Sequence, residues 1–476
     1  MSTPAHRPSR PRAALATLAA ALLLAGCGTM IPPRVKPALP VAGSYPGQPA
    51  GAAAGVAAAD IAWSAYFTDT RLQRLIGLAL ETNRDLRVAV LAIDQARAQL
   101  QLRRADELPT VNAGVTASRA PGGNGSIVSS YSAGLQISAY EVDLFGRVRS
   151  LGEAAQAQLL ASTEARKTVQ IALVSAIAQT WFAVQADEAL LEVTRQTLET
   201  RQESYRLTRL KFDNGASSEL DLRQAESALE AGRVALAQQT RQRALDENAL
   251  VLLVGRPLPA DLPPATPLGR APAMADLPAG LPSDLLVRRP DLRQAEQQLV
   301  AANANIGAAR AAFFPRISLT ASAGVASNEL SGLFKGGNLA WSFVPQLLQP
   351  IFDAGRNQAN LEAAQLARDV AVANYEKAIQ SAFREVSDAL AGRATLGEQL
   401  RAQQAQAQAE QVRLRLADLR YRNGASSYLE VLDAQRALFA AQQAVVQVQA
   451  AQLQNQVALY KALGGGWTDP APAAPR

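Results

Sequence analysis

Histidine and cysteine are almost missing from this 476-residue chain, which has one of each, His6 and Cys27. Residues 1–26 read as a secretory signal. Arg7, Arg10 and Arg12 form its basic start, and the apolar run from Ala13 to Ala25 is too short to span a membrane. Cleavage there removes His6 and leaves Cys27 as the first residue. Histidine bases, disulfides and His/Cys metal centres are then excluded, and thiol chemistry ends if Cys27 is blocked. No Gly-x-x-x-x-Gly-Lys-Ser/Thr loop occurs, and Gly122-Gly123 and Gly336-Gly337 lie between alternating segments, not between a strand and a helix. Paired-carboxylate hydrolysis passes these filters without positive support. The expectation is a protein that is no enzyme and holds no cofactor or metal. The net charge of +6 includes the three leader arginines, and the other charges are interspersed along helical tracts. That is a solvated face and not a nucleic-acid footprint.

Proline is missing over two long stretches, between Pro121 and Pro257 and between Pro350 and Pro470. Both are rich in Ala, Leu, Gln, Glu and Arg, so both predict long unbroken helices. Asn214-Gly215-Ala216-Ser217-Ser218 recurs 209 residues later as Asn423-Gly424-Ala425-Ser426-Ser427, and the same shift carries Gly146-Arg147 onto Gly355-Arg356. Upstream the shift is 206, taking Asp85-Leu86-Arg87 onto Asp291-Leu292-Arg293. A duplication explains both. Repeat 1 covers 61–255, with strands near 109–119 and 130–142 and helices over 147–213 and 218–254. Repeat 2 covers 283–466, with strands near 315–327 and 338–350 and helices over 355–422 and 427–463. Residues 27–60 read as a tether, 256–282 as a proline-rich linker, and 467–476 as a tail. Leu222, Leu229, Leu236, Arg243 and Leu250, like Val431, Leu438, Val445, Gln452 and Leu459, keep a seven-residue spacing, with the polar break at the same rung, that favours coiled packing. Helices alone leave a soluble bundle or a periplasmic coiled-coil spacer equally open.

The short segments decide the class. Val111, Ala113, Val115 and Ala117 alternate with polar residues, as do Tyr131, Ala133, Leu135, Ile137 and Ala139. In the second copy Ile317, Leu319, Ala321, Ala323 and Val325 do the same, followed by Leu339, Trp341, Phe343, Pro345 and Leu347, where the proline weakens the strand. Each run approaches the roughly 9 to 11 residues with which a tilted strand crosses a bilayer. Four strands cannot close a barrel, since the smallest use about eight, and an open edge in lipid leaves amides unpaired. Several copies must share one barrel. Three give twelve strands, and arithmetic alone also admits two or four.

Tyr140-Glu141-Val142-Asp143-Leu144-Phe145-Gly146-Arg147, Arg288-Arg289-Pro290-Asp291-Leu292, Ala311-Ala312-Phe313-Phe314-Pro315 and Leu429-Glu430-Val431-Leu432-Asp433-Ala434-Gln435-Arg436 together resemble the outer membrane factor family of TolC-like efflux ducts, in its NodT/OprM-type lipoprotein branch. The resemblance implies a mainly α fold with β. Two internal repeats each give two barrel strands and long helices, and a homotrimer forms a twelve-stranded β-barrel continued by a periplasmic α-helical barrel. It also implies passive export from the cell outer membrane, with a periplasmic adaptor protein and an inner-membrane pump of the proton-driven RND type as partners. An exit duct for type I protein secretion is the alternative within the same architecture. Leu24-Ala25-Gly26-Cys27 resembles a lipobox, which implies acylation of Cys27 and anchoring in outer-membrane lipid; an ordinary signal with an incidental cysteine is the alternative.

The family closes its duct at the tip where paired helices turn. By resemblance that places Asn214, Gly215, Asn423 and Gly424 at the tip and Tyr421, Glu430, Asp433 and Asp221 at the aperture. A ring of carboxylates in a narrow pore concentrates cations. Ser218-x-x-Asp221 and Ser427-x-x-Glu430 also have capping-box spacing, so for those two acids both roles stay open. Asp433 has no capping role and is the best candidate for a selective ring. Ser426 stands near the place where some relatives carry a gate-locking arginine, and Arg420 and Arg422 are the residues available to replace it.

Overall fold

The computed structural model describes residues 29–34, 37–46, 56–121, 123, 125–271 and 274–468, so the expected signal and Cys27 lie outside it. The first copy holds α1 (Thr70–Thr82), α2 (Arg84–Ala105), β1 (Val111–Pro121), β2 (Ile127–Val142), α3 (Arg147–Asp213) and α4 (Glu219–Val254). The second holds α5 (Pro290–Ala311), β3 (Arg316–Ser327), β4 (Leu339–Leu348), α6 (Arg356–Arg422) and α7 (Tyr428–Ala462). α2 and α5 have 22 residues each, and α3 and α6 have 67 each, a rise of about 100 Å at 1.5 Å per residue. The counterpart of α1 is cut down to Leu285–Arg288, because Pro282 and Pro290 bracket it and proline is tolerated only at a helix start.

The chain divides into two compact units. One comprises Met1–Ala38, Ala92–Thr163 and Gln294–Lys377, the other Leu39–Leu91, Glu164–Arg293 and Ala378–Arg476. The first unit is built on a four-stranded antiparallel sheet in the order β1-β2-β3-β4. Its register sorts the side chains by face: Val115 pairs with Ala133 and Ala133 with Val325, whereas Gln136 pairs with Ser322 and Ser322 with Ser342. On the polar face Thr116 Oγ1 lies 2.6 Å from Ser132 Oγ, and Ser322 Oγ lies 2.7 Å from Ser342 Oγ. The apolar face is bare, with Val115 76% and Trp341 74% exposed, so it has the character of a surface awaiting a hydrocarbon solvent.

Three details differ from the simple alternation. The first hairpin closes nearer its loop than 119/130, because Ala120 pairs with Val128 and Pro121 with Ile127. At Ala139 a bulge breaks the register between β2 and β3: φ is +53° there, and its N–H donates to Thr320 Oγ1 at 3.3 Å. Beyond it Tyr140 and Val142 carry the apolar face and Glu141 the polar one. Pro345 does not break β4. Ala326 N donates to Asn338 O at 3.0 Å, so by alternation Leu319/Pro345 is a non-hydrogen-bonded pair. The amide hydrogen that Pro345 lacks would have pointed to the free edge.

At the foot of the sheet, Arg147 grips Glu141 through two bonds of 2.7 and 2.8 Å, and Arg316 reaches the same carboxylate at 2.6 Å. That ties β2, β3 and the start of α3 to one half-buried acid. Met30 to Pro32 run along α5, where Asn303 Nδ2 donates to Pro32 O at 2.9 Å.

In the second unit one joint is built twice. Asn83 donates its amide to Leu253 O at 2.8 Å near the end of α4, and Arg289, the equivalent residue 206 positions on, donates to Ala462 O at 2.9 Å at the end of α7. Each bond satisfies one of the carbonyls that a helix end leaves open. Gly255 (φ +79°) permits the first joint, since a Cβ there would lie 2.7 Å from Thr82 O. Arg289 is buried and is balanced by Asp291 at 2.6 Å and Glu385 at 2.9 Å. Tyr66 stacks on Tyr460 with centroids 4.0 Å apart, and Trp63 is buried. Leu268, from the proline-rich stretch, packs with Ala186, Val446 and Ala450.

Between α3 and α4, Asp187 is buried in hydrogen-bond contact with the Asp246 carboxylate and accepts from Gln239 Nε2 at 2.8 Å. Burial first, and Asp246 second, push its pKa up to about 7. The fold therefore keeps a proton that the unfolded chain releases near pH ~3.9. Bound protons then exceed those of the unfolded state between these values, so stability falls as pH rises through that window and levels off above it. Asp187→Asn is expected to raise the melting midpoint at pH 7.5 and to flatten its slope between pH 5 and 7. An unchanged slope would place the titrating group elsewhere.

Candidate functional site at the helical turns

The turns that join α3 to α4 and α6 to α7 are two copies of one device. Gly215 (φ +71°) and Gly424 (φ +72°) adopt the left-handed conformation. Ala216 N donates to Lys211 O at 2.8 Å, and Ala425 N to Arg420 O at 2.9 Å. These are Schellman closures, which absorb carbonyls at the helix ends and reverse the chain. Asn214 and Asn423 reinforce them, each donating its side-chain amide to the carbonyl four residues back, at 2.7 and 2.8 Å.

The next step separates the copies. Ser218 Oγ accepts from Asp221 N at 3.1 Å and Asp221 Oδ2 accepts from Ser218 N at 3.4 Å, a closed capping box. Ser217 and Ser218 hydroxyls also donate to Asp221 Oδ2. Ser427 makes no such cap, and Glu430 lies 3.9 Å from Arg420 Nη1. The same spacing thus makes Asp221 a cap and leaves Glu430 in a loose ion pair. Asp433 is 62% exposed and bonds to Arg413 across the α6–α7 hairpin. Arg413 also holds Glu410 at 3.2 Å.

Tyr421 lies against Tyr428, with ring centroids 5.5 Å apart, under Lys211 Nζ at 4.1 Å. Tyr428 is buried with Val431, Leu432, Ala434, Ala225, Ala228 and Ala417. Burial raises its phenol pKa, despite hydrogen bonds from Ser204 and Thr208. Of the two arginines considered for Ser426's missing latch, Arg420 also reaches Ala425 O at 3.4 Å, while Arg422 pairs with Asp418 at 2.8 Å, one turn back. Ser426 Oγ is buried without a partner.

A duplicated chain of four strands and four long helices is matched by one family model, outer membrane efflux protein, over residues 75–256 and again over 281–465. The chain belongs to that family. It is 50% identical over 458 residues to the antibiotic efflux pump outer membrane protein ArpC of Pseudomonas putida, covering 94% of each chain. The toluene efflux pump outer membrane protein TtgC of the same species gives the same figures. Among solved structures, the open state of the Neisseria gonorrhoeae MtrE outer membrane channel superposes with a TM-score of 0.84 at 41% identity, covering 92% of this chain and 99% of that one. This outer membrane efflux protein is therefore an exit duct in the cell outer membrane that extends into the periplasm.

Sequence reading missed Arg413 and Tyr428. A signal for Arg413 existed: it and Asp433 stand ten residues either side of Asn423, and an antiparallel hairpin brings such positions together. Tyr428 gave none, because Glu219 fills its place in the first copy. The unequal caps make a measurable difference. Ser218→Ala is expected to cost about 1 kcal/mol and to speed hydrogen exchange at Asp221 N, whereas Ser427→Ala leaves exchange in the first turn of α7 unchanged.

Proposed function

We propose that three copies close a twelve-stranded barrel and that the duct is passive, performs no bond chemistry, and opens at the helical turns. The observation that carries this is the sheet order. β1 and β4 are both edges, and joining β4 of one copy to β1 of the next keeps every pair antiparallel. Only closure satisfies edge amides in lipid. Substrate is delivered by an inner-membrane pump, of the proton-driven RND type, through a periplasmic adaptor, and the pump supplies the energy. The two Pseudomonas putida relatives are equally similar to this chain, yet one is named for antibiotics and the other for toluene. That supports a duct whose cargo is chosen by its partners. Cys27 carries the lipid anchor; Cys27→Ser is expected to abolish the acyl mass increment of the purified protein while leaving its oligomeric state unchanged.

At the aperture Asp433 supplies the selective carboxylate, and Arg413 sets how much of its charge the pore feels. Both side chains are about half exposed or more, so solvent screens their pairing, which contributes little to stability and acts mainly on the local field. Glu430, Tyr421 and the turns at Asn214-Gly215 and Asn423-Gly424 shape the same constriction, with Asp221 fixed as a cap. In planar bilayers under a salt gradient, Arg413→Ala is expected to raise cation over anion permeability. Asp433→Asn is expected to lower it, and the double variant to match Asp433→Asn. Reversal potentials identical to wild type in all three would remove Asp433 from the pore.

A further inference from the structure

Most arginines near the turns have an acid within reach: Arg206 holds Glu203, Arg209 holds Asp213, Arg223 holds Glu219 and Glu226, and Arg233 holds Glu230. Arg201 of α3 is different. It is 6% exposed, and among the described residues it forms no salt bridge and donates only to the main-chain oxygen of Ala228, at 3.1 Å. Its guanidinium lies 5.4 Å from the centroid of Phe439, and its Nε is buried without a partner. Burial lowers its pKa, Arg436, a second cation, adds to that, and Tyr428 opposes it with a smaller effect. An arginine does not give up its proton under such pressure, and a buried charge without a counter-charge is costly. In the second copy the equivalent position, 209 residues on, is Glu410, which pairs with Arg413.

Beside Arg201 is a cavity of about 130 Å³, lined also by Thr197, Leu414, Gln435, Leu438 and Gln442. Gln435 is buried, donates to Ser204 Oγ at 3.0 Å, and leaves its Oε1 unpartnered. A half-turn of that amide offers Nε2 instead and keeps the contact with Ser204, whose hydroxyl then donates to Oε1 and accepts from the Tyr428 phenol. Among the described residues no carboxylate lines the cavity, and its volume suits a small ion with residual water.

We propose that this cavity binds a small monovalent anion of the halide class, which serves as the counter-charge of Arg201. The site lies within a single chain and does not depend on the stoichiometry or gating proposed above.

The test uses the detergent-purified full-length assembly, with chloride or bromide replacing gluconate at constant ionic strength. The melting midpoint of the wild type is expected to rise saturably with halide, and Arg201→Gln is expected to lose that response. In crystals grown with bromide, anomalous scattering is expected to place an ion within hydrogen-bond distance of the guanidinium. Equal halide responses in both proteins would overturn the proposal. So would water alone in the bromide map, or a carboxylate from a neighbouring copy occupying the cavity. Should Arg201→Gln fail to fold, the wild-type bromide map decides the matter by itself.

Discussion

Main-chain amides at the outer edges of β1 and β4 find no partner within one chain, and hydrocarbon offers them none. The inner strands β2 and β3 pair on both sides along most of their length, with the bulge at Ala139 as an interruption. The sheet's remaining features are consistent with those edges being joined to another copy. One face is apolar and bare, the other is stitched by hydroxyl pairs, and Pro345 turns its missing donor outward. A soluble domain would cover such a face with helices.

In the second unit the requirement changes from pairing edges to terminating long helices. α4 and α7 end on equivalent joints, but the donors differ. Asn83 is neutral and needs nothing further, whereas Arg289 brings a buried charge and therefore needs Asp291 and Glu385. The Arg-Arg-Pro-Asp-Leu run marks this arrangement: Arg289 closes the joint, Pro290 starts α5, and Asp291 neutralises the arginine. Duplication preserved the geometry while its chemistry diverged.

At the turns the divergence bears on function. Two identical pentapeptides build two identical chain reversals, but only the first is followed by a closed cap. The second copy releases Glu430 and presents Asp433 against Arg413, so acidic groups with exposed partners collect on one hairpin. Arg201 and Glu410 show the same exchange of charge between equivalent positions.

The fold class could be read from sequence because it rests on local periodicities: two in the strands, seven in the helices, 206 or 209 in the repeat, each imposed by backbone geometry. The turns were legible for the same reason, since glycine is selected by its own φ angle. The bulge at Ala139, the acid that Arg413 meets, the burial of Tyr428 and the isolation of Arg201 were decided only by tertiary structure. An alanine carries no mark of a left-handed backbone, and identical Ser-x-x-acid spacings gave opposite outcomes at Asp221 and Glu430. Local steric rules act over a few residues and are written in the chain. A charge or a cap is settled by whichever partner the packed helices bring nearest, and that partner sits tens or hundreds of residues away.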